Sequence, residues 1–386
     1  MPAQNKPLRI LDFTPNLGMG GIATGMMNVL EMIDRDRYQI DFLLFDYPDK
    51  YYESRAKTLG STIYRIGSHR NFLRFAREFF KIVKNNGPFD VIHSHAYTHS
   101  GYMMVLAKLA GIPVRITHAH NDHRHTERAK PFMRRLYTQF MLFLINRFST
   151  AGLTISQEAG EALFGENWQA DPRWVQIPVG TDFRVYGASC DIPALRTSLG
   201  INGQPTIIGV VGRFVEQKNH DFVIDFIARY AERRPDCRFL FIGDGTLLPA
   251  IKTKAQKLGV LDLCVFAGIR ADLPLIYSHI MDAVLFPSLH EGLGRVAIEA
   301  QAAGVPVVAS EHIPLIADLY AGGIKRLSLS APMDDWCDAM DKALARGKLP
   351  LDECLETARQ SKLSMDHHIK ELEQFYDRQA VKGGLR

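Results

Sequence analysis

Residues 284–310 read Val-Leu-Phe-Pro-Ser-Leu-His-Glu-Gly-Leu-Gly-Arg-Val-Ala-Ile-Glu-Ala-Gln-Ala-Ala-Gly-Val-Pro-Val-Val-Ala-Ser. The apolar runs Ala283 to Phe286 and Val305 to Ala309 predict two buried parallel strands, because a strand covered on both faces shows no alternation. Between them the residues predict a glycine-flexed loop and a short helix that stops at Gly304. Strand, loop, helix and strand make a piece of open α/β sheet, in which a ligand sits beyond the strand ends and at the helix start. Two acids occupy that place. Glu291 lies in the loop and Glu299 inside the helix, with Gly292 and Gly294 keeping side chains out of the approach. Two carboxylates about 12 Å apart, if the path were all helix, suit a ligand with hydroxyls at both ends, and a nucleotide sugar is such a ligand.

The Glu-x7-Glu pattern within Ser288 to Ser310 resembles the signature of the retaining glycosyltransferases of family 4. The likeness extends over almost the whole chain and is nearest to bacterial exopolysaccharide and capsule enzymes. It implies the GT-B fold, an α/β architecture of two Rossmann-like doubly wound domains facing a central cleft, with a C-terminal helix crossing back to the first domain. On this reading residues 1–185 with the helix 365–386 form the acceptor-side domain, and residues 186–364 form the nucleotide-sugar domain.

Composition agrees with an enzyme of this size. A chain of 386 residues suits two domains of about 150 to 200 residues better than one core. Apolar content of 46% and charge of 23% are those of a soluble globular protein. The five cysteines, at 190, 237, 264, 337 and 354, form no Cys-x-x-Cys pair, which points to a reducing cytosol with neither a zinc site nor a disulfide framework. No apolar h-region follows Lys6 and Arg9, and the greasiest stretch, Phe140 to Phe148, is broken by Asn146 and Arg147, so neither a secretion signal nor a spanning helix is expected. Residues 51–150 hold sixteen Lys/Arg against five Asp/Glu, so a net charge of +4 divides into +11 there and −7 elsewhere. Such a basic first half implies an anionic partner, a membrane surface or a diphosphate lipid rather than nucleic acid. The expected location is cytoplasmic, with peripheral contact at the inner face of the cell membrane.

Leu8 to Phe13 predicts the first strand, and Asn16 to Gly21 a turn that opens a helix near 22–32, so that N–H groups at Gly20 and Gly21 face a phosphate or sugar oxygen. Gly18-x-Gly20-x-x-Ala23, with Asp46 after the next strand, also fits a relaxed dinucleotide fingerprint. Asp34-x-Asp36 sits in a turn of alternating charge and reads as solvated. Helix 69–86 carries Arg70, Arg74, Arg77, Lys81 and Lys84 beside Phe72, Phe75 and Phe79, and residues 130–148 repeat the theme with Lys130, Arg134, Arg135 and Phe140. Each segment is either a surface helix docked by its apolar face or a shallow insertion into an anionic bilayer. Strands ending in His93-Ser-His95 and His118-Ala-His120-Asn121 put paired rings on one face. A metal there is disfavoured, because no cysteine or paired carboxylate completes either pair and Arg115 and Arg124 would repel a cation. Hydroxyl recognition is the better reading. The resemblance places His120 by the sugar to be transferred, with His118 close by and Asn121 replacing the usual acid, and sets His93 and His95 on the acceptor side.

Ser156 caps a helix over Gln157 to Phe164, and residues 183–204 read as a linker. The strand opening at Thr206 runs into Arg213 and Lys218, five positions apart. A permanently charged planar fork and a mobile ammonium at a strand end suit a diphosphate. Gly243 begins a Gly-Asp-Gly turn after the strand Phe239 to Ile242, also on the donor side. The family counterpart of Val265 to Ile269 contacts the nucleotide base largely through backbone, which assigns Gly268 and Ile269 to the donor. Beyond Ser310 the sheet is expected to finish, covered by helices at 333–345 and 351–361, with 365–379 as the closing helix.

For sugar transfer, fixed cations stabilise the departing diphosphate, and Arg213 and Lys218 would do so without metal or other cofactor. The resemblance gives Glu299 both ribose hydroxyls and Glu291 the donor sugar's hydroxyls, with Gly292, Leu293 and Gly294 offering N–H groups. The acids stand too far apart for the pair about 5 Å apart of retaining glycosidases, and a front-face mechanism is the family's favoured account. Arg295 departs from the usual aliphatic residue or proline, and it would touch a donor carboxylate or phosphate or pair with Glu291. The expected donor is UDP- or GDP-linked and the expected acceptor a lipid-diphosphate-linked glycan. An epimerase or phosphorylase of the same fold, a non-catalytic sugar-nucleotide-binding subunit, and an oxidoreductase resting on Gly18 to Ala23 are the competing readings.

Overall fold

The computed structural model describes residues 6–18, 20–45, 51–67, 71–122, 124, 127 and 130–385. Asp46 and Arg70, named above, lie outside the described residues. The chain forms two compact units, Met1–Gly180 with Met365–Arg386, and Thr181–Ser364.

The first unit is built on strands β1 (Leu8–Thr14), β2 (Tyr38–Phe45), β3 (Ile63–Ile66), β4 (Val91–Ser94), β5 (Val114–Ala119), β6 (Ala151–Thr154) and β7 (Trp174–Gln176). They form one parallel sheet in the order β3-β2-β1-β4-β5-β6-β7. Alternation along β1 serves two cores, as strand geometry requires. Ile10 packs with Ile40, Phe42 and Ile116 beneath Leu372, Phe375 and Tyr376 of the helix Met365–Lys382. Leu11 and Phe13 face the other way, onto Phe75 and Phe79 of the helix Phe72–Asn86 and Met103 of the helix Ser100–Leu109. Asn71 starts Phe72–Asn86 by accepting from the Arg74 N–H at 3.0 Å, and Ser156 caps Gln157–Phe164 through the Ala159 N–H. Asp34 and Asp36 lie in an exposed turn closed by Asp34 Oδ1 on the Asp36 N–H.

The second unit carries β8 (Thr206–Val211), β9 (Cys237–Ile242), β10 (Cys264–Phe266), β11 (Ala283–Phe286), β12 (Val307–Ser310) and β13 (Ile324–Leu327), all parallel, in the order β10-β9-β8-β11-β12-β13. The sheet therefore does not finish at Ser310. β13 reads Ile-Lys-Arg-Leu, and its two cations suit an edge strand but hide it from an apolar-run reading. Nor are residues 183–204 a plain linker. They hold the helix Ile192–Ser198, which Asp191 caps and Pro193 starts. Residues 181–185 belong to this unit, where the Thr181 N–H donates to the Leu363 carbonyl at 2.8 Å.

Candidate functional site

In the second unit the strand order reverses between β8 and β11, and in open α/β sheets ligands bind at such a switch point, beyond the carboxyl ends of the strands. Arg213 and Lys218 follow β8, and Glu291 follows β11. Their loops are fixed by backbone contact. Gly243 has φ of +142°, and a Cβ built there would lie 2.0 Å from the Gly212 carbonyl oxygen, so the turns after β8 and β9 meet main chain to main chain. The Phe214 N–H donates to the Asp244 carbonyl at 2.9 Å. Across the switch point, Gln217 Nε2 donates to the His290 carbonyl at 2.9 Å and Asn219 Nδ2 to the Pro287 carbonyl at 3.2 Å.

These tethers bring Lys218 Nζ to 2.6 Å from Glu291 Oε1, with side chains only 15% and 10% exposed. The ammonium also stands 4.8 Å from the centre of the Phe286 ring. Arg213 is exposed, and among the described residues it joins no ion pair.

Glu299 lies on the helix Arg295–Ala302, which begins at Gly294 with φ of +77°. A Cβ on Gly294 would stand 2.9 Å from Ile313 Cγ2, so this glycine answers a backbone and packing demand rather than clearing a ligand's approach. Arg295 Nη2 lies 3.3 Å from Glu299 Oε1. The expected partner Glu291 is thus corrected to Glu299, because an i,i+4 pair meets on one helix face and Lys218 already holds Glu291. Burial pushes the Glu299 carboxyl above its ordinary range, while Arg295 and Lys218 pull it back. Tyr186 and Tyr277, both buried, line the same place and their phenols are driven up by burial. Gly292 and Leu293 are buried between the two acids. The Gly268 carbonyl accepts from the Gly243 N–H at 2.8 Å, and Ile269 beside it is 54% exposed.

The first sheet reverses between β1 and β4. Gly20 and Gly21, at the start of the helix Gly21–Met32, have open space where a Cβ would go. His93, His95 and His118 are buried at 2%, 8% and 4% exposure. His93 Nδ1 is 2.8 Å from Tyr376 Oη, His93 Nε2 is 3.2 Å from His118 Nδ1, and His95 Nδ1 is 2.7 Å from His120 Nε2. Burial pushes the His93, His118 and His120 imidazoles well below the usual histidine range. His93 and His95 are therefore bonded within the unit and nearly closed to solvent. His120 and Asn121 are partly exposed. Asp12, 5% exposed and 3.5 Å from His95 Nε2, was not foreseen. Its signal was present, as a carboxylate inside the apolar run Leu8–Thr14. Tyr186, Tyr277 and Tyr376 gave none, since buried tyrosines are ordinary core residues.

Two parallel sheets, the second with cations and carboxylates at its switch point, define a doubly wound α/β protein. Residues 20–180 match the family described as Glycosyl transferase 4-like domain, and residues 191–360 match Glycosyl transferases group 1. The chain is 32% identical over 359 residues to a protein bearing the name glycosyltransferase EpsF in Bacillus subtilis, covering 91% of this chain and 92% of that one. It is 23% identical over 303 residues, 76% of each chain, to the Escherichia coli UDP-Gal:alpha-D-GlcNAc-diphosphoundecaprenol alpha-1,3-galactosyltransferase. The crystal structure of Anabaena HepE in complex with UDP and glucose superposes with a TM-score of 0.78 at 19% identity, covering 96% of this chain and all of that one. The chain belongs to the family 4 glycosyltransferases, enzymes of GT-B fold.

Proposed function

We propose that this glycosyltransferase retains anomeric configuration, moving a sugar from a UDP- or GDP-linked donor to a lipid-diphosphate-linked glycan in bacterial surface polysaccharide synthesis. The observation that carries the reading is the cation and acid set at the second switch point, with Arg213 exposed and Lys218 held on Glu291. Arg213 and Lys218 bind the diphosphate, and because they are positioned in advance they stabilise the charge that grows on it as the bond from C1 to phosphate oxygen breaks. No metal enters this step. As Lys218 turns to phosphate, Glu291 is released to accept from the donor sugar's hydroxyls, while Glu299 accepts from the ribose. His120 serves the transferred sugar as a hydroxyl partner. The acceptor oxygen bonds to C1 on the face the phosphate leaves, and its proton passes to the departing phosphate.

Two further observations support a membrane-borne acceptor. The name of the Escherichia coli relative specifies a diphosphoundecaprenol-linked acceptor. In the helix Phe132–Phe148, Phe132, Leu136, Phe140 and Phe143 are 73%, 51%, 53% and 60% exposed beside exposed Arg134 and Arg135, a composition suited to lying in an anionic interface. Among the described residues no helix is long and apolar enough to cross a membrane.

The test is a panel of nucleoside diphosphate sugars scored by thermal midpoint, with Glu299→Ala and Arg213→Ala beside the wild type, followed by nucleotide release on adding acceptor. A donor raises the midpoint with concentration and both variants lose the effect. Donor binding without acceptor-dependent release would identify a binding subunit, and sugar conversion without acceptor an epimerase.

A further inference from the structure

Strand register gathers the buried polar groups of the first unit on one face. Asp12 on β1 pairs with His93 on β4, and His93 pairs with Ile116 on β5. His95 and His118 lie two residues beyond these positions, and a two-residue step along a strand returns to the same face. It is the face that Ile10 and Ile116 share with Tyr376.

The hydrogen bonds of this group do not close. A neutral imidazole has one donor and one acceptor. His118 spends Nδ1 on His93 and His95 spends Nδ1 on His120, which leaves His118 Nε2, His95 Nε2 and Asp12 Oδ1 buried without a hydrogen-bond partner among the described residues. Asp12 Oδ1 stands 3.5 Å from His95 Nε2 and 3.6 Å from His93 Nδ1. Ring nitrogens of His93, His95 and His118 all lie within 4.8 Å of one another. Buried polar groups are rarely left open, and each open one calls for an explanation.

We propose that His93, His95 and His118, whose ring nitrogens converge, with Asp12 beside His93 and His95, form a binding site for one divalent transition-metal ion of the zinc or cobalt kind. Imidazole and carboxylate are the ligands such ions take, and the open atoms are two ring nitrogens, each a lone pair when Nδ1 of the same ring carries the proton, and a carboxylate oxygen. His120 on His95 Nδ1 and Tyr376 on His93 Nδ1 orient rings from behind, as outer partners of metal-ligating histidines do. On a tetrahedral ion, ligand atoms stand about 3.3 Å apart, so the rings draw together on binding. Both sequence-based objections fall. Asp12 supplies the missing carboxylate. Arg115 is turned onto the Ile112, Pro113 and Phe148 carbonyls, and Arg124 is held by Asp122 and Glu161. The ion would join β1, β4 and β5, and it enters no step of the transfer described above.

The experiment takes the intact protein, dialysed against chelator and titrated with cobalt(II). One equivalent per chain should bind, with the intense visible bands of a low-coordinate site, and the thermal midpoint should rise with cobalt concentration. Asp12→Asn and His118→Gln should each weaken binding 10- to 100-fold, while His312→Gln, at an exposed histidine of the second unit, should not. Absence of the bands and of the shift in wild type, or binding that both variants keep, overturns the proposal and leaves the open atoms to water. Should both variants fail to fold, X-ray absorption of the wild-type complex decides, a shell with two or more imidazoles supporting the site and a shell of water and carboxylate sinking it.

Discussion

A methyl group at Gly243 would press into the Gly212 carbonyl from a φ that side chains rarely adopt. Gly243→Ala is therefore expected to destabilise the second unit by about 2 to 4 kcal/mol in urea unfolding. Gly20→Ala, extended and in open space, should stay within about 0.5 kcal/mol. Lys218→Ala removes a phosphate cation and strands Glu291 largely buried. Transfer should fall by about 10²- to 10³-fold, and stability should fall by about 1 to 3 kcal/mol. Adding Glu291→Gln should restore most of the stability and none of the rate, and a full rate recovery would refute the role given to Lys218. The places of Arg213, Lys218, Glu291 and Glu299, beyond strand ends and on the following helix, were legible from residue type and local spacing. Their pairing was not. The Lys218–Glu291 bond spans 73 positions, and no local pattern carries such a contact.

The legible elements were those with an apolar run or a cap. Central strands β1, β8, β11 and β12 are buried along nearly their whole length and could be read directly. β13 could not, since Lys325 and Arg326 interrupt its apolar run. The helix Ser100–Leu109 was missed for the opposite reason. It is buried on most sides, with Gly101 fitted against the Met141 carbonyl, so it shows no amphipathic period. Two helices of the first unit should answer mutation differently. Leu372→Ala, on the buried face of the helix Met365–Lys382 and 3% exposed, should cost about 2 to 5 kcal/mol. Phe132→Ser with Phe143→Ser, both exposed, should leave unfolding within about 0.5 kcal/mol per site yet reduce flotation with anionic vesicles. Unchanged flotation would remove the support for bilayer contact.

At the scale of the whole molecule, the first unit stores its acid sensitivity in neutral buried histidines. Burial pushes His368 down to about 4, only partly offset by its bond to the Pro178 carbonyl. A histidine depressed in the folded state contributes stability above its unfolded value of about 6.5, and that contribution is lost as pH falls toward 4. For His368 alone the loss by pH 5 is about 2 kcal/mol, and His93, His118 and His120 shift in the same direction. The thermal midpoint should therefore drop steeply between pH 6.5 and 5, and His368→Gln should flatten part of that slope. A midpoint independent of pH over this window would contradict the burial assigned to these rings. The two-unit plan is itself a matter of timing. The helix Met365–Lys382, which covers Ile10, Ile40 and Phe42, is synthesised only after every residue of the second unit, Thr181–Ser364. During translation the sheet begun first must wait with an oily flank uncovered while its neighbour is completed, which makes the nascent chain a natural client for chaperones that shield apolar surface.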